Sequence, residues 1–160
     1  MKIFAIDPGN KYSAFVLWNG TEVLQHDIIS NEGLLNQIIP ELFDVKYKLV
    51  FHAGIEMVAS YGMPVGASIF ETCVWIGRFQ QRIHTINNLT RIDLIFRKDI
   101  KMKFCQSMRA KDSNIRQSLI DRFGIPGTKN NKGITYGLKA DEWSAFAIAV
   151  YLFDNLQETK

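Results

Sequence analysis

The feature that most constrains the fold is an apolar run that ends in an acid. Ile3-Phe4-Ala5-Ile6 leads directly into Asp7, and Pro8-Gly9-Asn10 follows as a tight turn. A strand apolar on both faces belongs in the middle of a sheet, covered on both sides. Asp7 therefore stands at the end of a buried strand, beside a glycine that leaves room for something to approach. A carboxylate in that place suits a metal ion and a phosphate, and it equally suits a simple turn cap.

The segments that follow determine the kind of sheet. Ser13–Trp18 reads as a second strand, Asn19-Gly20 as a hairpin turn, and Glu22–Ile29 as a third strand. Ser30 or Asn31 can cap a helix carrying Leu34, Leu35, Ile38, Ile39 and Leu42 at helical spacing, with Pro40 expected to kink or split it. Leu49–Ile55 is a fourth strand ending at Glu56, and Met57–Gly66 is a loop. Ala67–Ile86 is a long helix with apolar residues on more than one face. Thr90–Phe96 alternates as a fifth strand. Asp99 is expected to cap a short basic helix through Cys105, and Asp112 or Ser113 a further helix stopped by Gly124. Ile125–Gly137 is a polar loop bearing lysines, and Lys139–Leu156 is the last helix, with Asp141, Ser144, Ala145 and Ile148 on one face. An antiparallel meander leads into parallel strands with helical crossovers. The expected architecture is one α/β domain over residues 1–160, a mixed five-stranded sheet with helices on both faces.

Composition excludes several classes. The 160 residues are 47% hydrophobic and 22% charged, an ordinary globular balance rather than a disordered one. No run approaches the roughly 18 apolar residues of a membrane span. Asp7 interrupts the early apolar stretch, which speaks against a signal peptide and for a cytoplasmic protein. Cys73 and Cys105 lack metal or redox spacing and are expected to be reduced core thiols. His26, His52 and His84 are scattered, and no Walker-type loop or Ser-His-Asp arrangement appears. Charge is unevenly placed. Residues 1–96 carry 7 Lys/Arg against 9 Asp/Glu, residues 97–139 carry 11 against 3, and residues 140–160 carry 1 against 4. The central block has the footprint of a polyanion partner, or is a solvated helix surface.

Three acids stand where chemistry can use them. Asp7 ends the first strand, Glu56 the fourth, and Asp141 opens the last helix on its inward face. In open α/β sheets ligands gather at strand ends, and strands one and four can be neighbours. Carboxylates without histidine or cysteine suit hard Mg²⁺ or Mn²⁺, and two such ions about 4 Å apart can serve phosphodiester hydrolysis. Taken singly, Glu56 also fits a buried acid paired with lysine, and Asp141 a first-turn acid favoured by the helix dipole.

These residues lie in segments that resemble the RuvC-like Holliday junction resolvases of the ribonuclease H-like superfamily, most closely their phage-encoded members. The likeness rests on IFAIDPGN at Ile3–Asn10, GIEMVASYGMPVG at Gly54–Gly66, FETCVWIGRF at Phe70–Phe79 and GLKADEWSAFAIAVY at Gly137–Tyr151. It implies a homodimer that nicks four-way DNA junctions in pairs, without a nucleotide cofactor, with Asp7, Glu56 and Asp141 as catalytic metal ligands for paired Mg²⁺ or Mn²⁺ ions. It implies that Tyr61, in the loop after Glu56, stacks on a base at the crossover, where a turn-packing tyrosine is the alternative. It makes Lys98, Lys101, Lys103, Arg109, Lys111, Arg116, Lys129 and Lys132 phosphate contacts, which position DNA without reading sequence.

The chain departs from the resemblance at one position. Better-known members of the family carry a further acid one helical turn after the Asp141 position, and Ser144 stands there instead. Glu142 cannot replace it, because adjacent helical residues point about 100° apart. Either three acids suffice, or the chain binds junctions with weak or lost catalysis. An actin-like phosphotransferase, suggested by Asp7-Pro8-Gly9, lacks the required length and duplication.

Overall fold

The computed structural model describes residues 1–44, 46, 52–60, 62 and 64–158. The expected mixed sheet is present. β1 (Ile3–Asp7) is flanked by β2 (Tyr12–Trp18), and β3 (Val23–Ser30) pairs with β2, all antiparallel. β4 (His52–Met57) lies parallel to β1 on its other side, and β5 (Arg91–Phe96) parallel to β4. The strand order is β3-β2-β1-β4-β5, so the apolar run of β1 is central, with Ile3 to Ile6 all at 0% exposure. Residues 49–51 of the expected fourth strand lie outside the described residues, as does Tyr61.

Helices cover both faces. On one side α6 (Glu142–Glu158) lies along β1 and β2, with α4 (Arg97–Cys105) and α5 (Asp112–Phe123) beside it. Ile3, Ala5, Ala14, Val16 and Trp18 pack there against Phe146, Ile148 and Leu152. Gly54 allows the close approach: a Cβ at that position would stand 2.9 Å from Ile148. On the other side α3 (Ala67–Ile86) covers Phe4, Ile6, Phe15, Ala53 and Ile55, together with the helical segment after β3. At about 25 cal/mol per Å² of apolar surface, these two layers supply the main stabilisation. No helix is long and apolar enough to cross a membrane among the described residues.

Several local expectations are corrected. The segment after β3 is not broken at Pro40. It runs through α1 (Asn31–Gly33), a π-helical turn (Leu34–Ile38) and α2 (Ile39–Phe43), with Pro40 in the first turn of α2, where a missing N–H is tolerated. The β2–β3 connection is a four-residue turn rather than a two-residue one. Trp18 pairs with Val23, and the Asn19 side chain accepts from the Thr21 and Glu22 backbone N–H groups. Asp99 does not cap α4, which begins at Arg97, and Asp112 is the first residue of α5 with Lys111 as its cap. The polar loop contains a small hairpin of β6 (Gly127–Thr128) and β7 (Asn131–Lys132). The last helix starts at Glu142, so Asp141 immediately precedes it. Cys73 and Cys105 are free thiols, as expected, but both are only partly buried rather than core residues.

Candidate active site

Strand alternation aims the acids. Ile3 and Ala5 face α6, so Asp7 does too. Gly54 faces Ile148 of α6, so Glu56 shares that face, and Ile95 of β5 is the partner of Glu56 in the neighbouring register. The last described pair between β1 and β4 is Ile6 with Ile55, so Asp7 and Glu56 come next along adjacent parallel strands. The start of α6 lies over these strand ends and brings Asp141 and Ser144 to them.

The loop after Asp7 is tied down. The Gly9 N–H donates to Ser13 Oγ (3.2 Å), Ser13 Oγ donates to Asn31 Oδ1 (2.6 Å), and Asn31 Nδ2 donates to the Gly9 carbonyl (2.9 Å). Ser13 and Asn31 are each only 1% exposed. A Cβ at Gly9 would lie 2.3 Å from the Tyr12 carbonyl oxygen, so glycine is required there. The turn thus sets the direction of the chain just past Asp7.

Electrostatics single out Asp7. Burial first, then the nearby Glu56 and Asp141 carboxylates, push its carboxyl up to about 8, against the opposing pull of Arg97 and a hydrogen bond from Ser144. Burial also raises Glu56, with Asp112 adding to it and Arg97 opposing it. Asp7 is therefore within electrostatic reach of both Glu56 and Asp141. Among the described residues, however, no three His, Cys, Asp or Glu side chains are grouped closely enough to hold a metal ion as they stand. The donor chemistry still fits a hard divalent ion: oxygen ligands only, around a carboxyl that burial and like charges leave in need of a cation.

Sequence reasoning missed Arg97 as a member of this site. Its guanidinium donates to Glu56 Oε2 (3.1 Å) and to Ser144 Oγ (3.0 Å), and pairs with Asp112 Oδ1 at 2.6 Å. The attractions of Glu56, Asp112 and Asp7 outweigh the burial penalty and raise its pKa. The signal was present in the strand period, since Arg97 follows Ile95 at the same parity beyond the end of β5. Recognising it required the knowledge that β5 pairs with β4.

The expected phosphate contacts divide into groups. A cleft of about 360 Å³ is lined by Arg97, Asp112, Ser113, Ile115, Arg116, Ala140, Asp141, Trp143 and Ser144, with the Arg116 guanidinium 4.6 Å from the Trp143 ring centre. A second cleft of about 290 Å³ is lined by Arg97, Lys98, Lys101 and Met108. Arg116, Lys98 and Lys101 thus lie next to the acids. Lys129 and Lys132 are exposed on the small hairpin, and Arg109 and Lys111 are exposed between α4 and α5. Lys103 is instead engaged by Glu158 at 2.6 Å.

A scan against protein-family models and a search of curated proteins each return no match. Solved structures do match. RuvC from Thermus thermophilus aligns over 99% of this chain and 97% of its own, with a TM-score of 0.69 and 13% identity. The same organism's RuvC in complex with a Holliday junction substrate aligns over 99% and 96%, with a TM-score of 0.71 and 10% identity. The chain has the RuvC fold.

Proposed function

We propose that the chain is a RuvC-like, metal-dependent endonuclease that binds four-way DNA junctions as a homodimer and hydrolyses phosphodiester bonds to resolve them. The observation that carries the reading is the convergence of Asp7, Glu56 and Asp141 at the strand ends of this fold, beside two clefts edged with arginine and lysine. The Thermus protein of like fold is described with a Holliday junction substrate.

In this reading Asp7, Glu56 and Asp141 would hold Mg²⁺ or Mn²⁺. Such an ion, when bound, supplies Lewis acidity at a phosphoryl oxygen. Arg116, Lys98 and Lys101 take the flanking phosphates as charge-assisted donors, and Lys129 and Lys132 extend the track. Tyr61, in the loop that follows Glu56, stacks on an opened base. The outer face of α3 carries Phe70 at 61% and Val74 at 62% exposure, an apolar stripe that suits a two-fold partner. Two symmetric copies match a substrate with two symmetric cut sites.

The test is incubation of the folded protein with a four-way junction and Mg²⁺ or Mn²⁺. Paired nicks are expected, and light scattering is expected to give a dimer. No nicking with either metal would overturn the reading. A second reading, a junction-binding protein of little catalysis, is favoured by Ser144 in place of an acid. It predicts a gel shift in EDTA with no cleavage, and a sharp gain on Ser144→Asp.

A further inference from the structure

We infer that the Arg97 guanidinium is a resident cation on the ground a second divalent ion would need, so that each protomer takes one divalent ion rather than two. The inference rests on the nuclease reading above and specifies how its site is charged.

Position comes first. Arg97 continues the row of Asp7 and Glu56 across the strand ends and is fixed by oxygens from three separate elements: Glu56 on β4, Ser144 on α6 and Asp112 on α5. Its side chain is 21% exposed, well enclosed for an arginine. A second ion at Glu56 would have to displace this fork.

The chemistry of Ser144 agrees. Its oxygen accepts from Arg97, and its hydroxyl favours the ionised form of the nearby Asp7 carboxyl. A hydroxyl can accept from a cation and donate to an anion at once, whereas an ionised carboxylate only accepts. Serine therefore fits between Asp7 and a guanidinium, and it is a poor ligand for a hard ion that prefers charged oxygens.

Charge balance points the same way. Once a cation drives Asp7 to ionise, Asp7, Glu56 and Asp141 carry three negative charges against the one positive charge of Arg97, a balance that a single divalent ion neutralises. In the outer layer, Asp112 and Lys101 act on Glu56 with opposite signs, and Asp112 also pairs with Arg97. Arg97 also borders both clefts, so a phosphate entering from the basic side meets it. Guanidinium keeps its charge at any working pH and offers a fixed fork to phosphate oxygens.

The test is a Mn²⁺ titration of the full-length protein without DNA, with free ion counted by electron paramagnetic resonance. One ion per protomer is expected, lost in Asp7→Asn. The double variant Arg97→Gln, Ser144→Asp is expected to take two. Two ions in the wild type, or one in a folded double variant, would overturn the inference. If circular dichroism shows the double variant unfolded, the wild-type count decides. Arg97→Gln alone should cut the cleavage rate of already bound junction about 100-fold, the scale of losing one charge-stabilising donor. Undiminished cleavage in Arg97→Gln would also overturn it. One bound ion without any cleavage sinks the nuclease reading alone, and two ions with paired nicks sink only this inference.

Discussion

Asp7 and Glu142 are two enclosed acids a short distance apart in the fold, and they are treated in opposite ways. Glu142 is 1% exposed and anchored: Oε2 accepts the Lys139 N–H at 2.7 Å, and Oε1 lies 3.0 Å from His26 Nδ1. It also sits in the first turn of α6, where the helix dipole favours an anion. Asp7 lies near Glu56 and Asp141, and burial and like charge hold its carboxyl at about 8 against the opposing pull of Arg97 and Ser144. A satisfied acid anchors structure, while an acid left among its own kind waits for a ligand.

The sharpest way to break this comparison is to neutralise each acid. Asp7→Asn should lower junction cleavage by about 10³-fold or more while junction binding in EDTA persists, since it removes a central ligand and leaves the basic clefts intact. If cleavage survives, Asp7 is no more functional than Glu142.

Glu142→Ala should show the converse. It strips partners from the Lys139 N–H and from His26 in a buried place, at a cost of about 2 kcal/mol. For a chain of this size that is a fall of about 4–8 °C in melting temperature. A melting temperature unchanged within 1 °C or so, on the same scale, would make the contrast between the two acids empty.

The next effect is on the pH profile. An ordinary aspartate releases its proton near 3.8, and Asp7 in the folded chain near 8. Between those values the folded state holds a proton that the unfolded chain has lost, so the stability of the metal-free protein falls as pH rises. Asp7→Asn should flatten that slope and raise the melting temperature in EDTA at pH 8 by about 3 °C or more, with little change near pH 4. A parallel shift at both pH values would argue against proton binding at Asp7.

The smallest expected effects lie at the periphery. Lys129→Ala and Lys132→Ala should each weaken junction binding a few-fold and reduce the salt dependence by about one unit, without altering cleavage of bound junction. Lys103→Ala should do less, because Glu158 already holds that ammonium.

Much of this arrangement is legible locally. The meander, the span Ala67–Ile86 and the parity of Asp7 and Glu56 follow from turn residues and from periods of two and 3.6. Arg97 was read only as the start of the basic block and Asp112 as a helix cap, because the partners of Arg97 at Glu56 and Ser144 lie 41 and 47 residues away. The tie between His26 and Glu142 was hidden for the same reason. Local pattern reveals which way a side chain points, but which strand stands next to it is a property of the whole sheet. The π-helical turn before Pro40 is a different kind of miss: the chain absorbed the lost donor by changing its pitch instead of breaking.

The shared alternation of core and site has a consequence for assembly. Asp7 and Glu56 belong to the same side-chain series as Ala5 and Gly54, so a one-residue slip of either strand would send its acid to the α3 face and its apolar residues to the wrong layer. In the proposed nuclease, register and activity would therefore stand or fall together: a chain that mispaired its strands would lose its site by the same error that misfolds it.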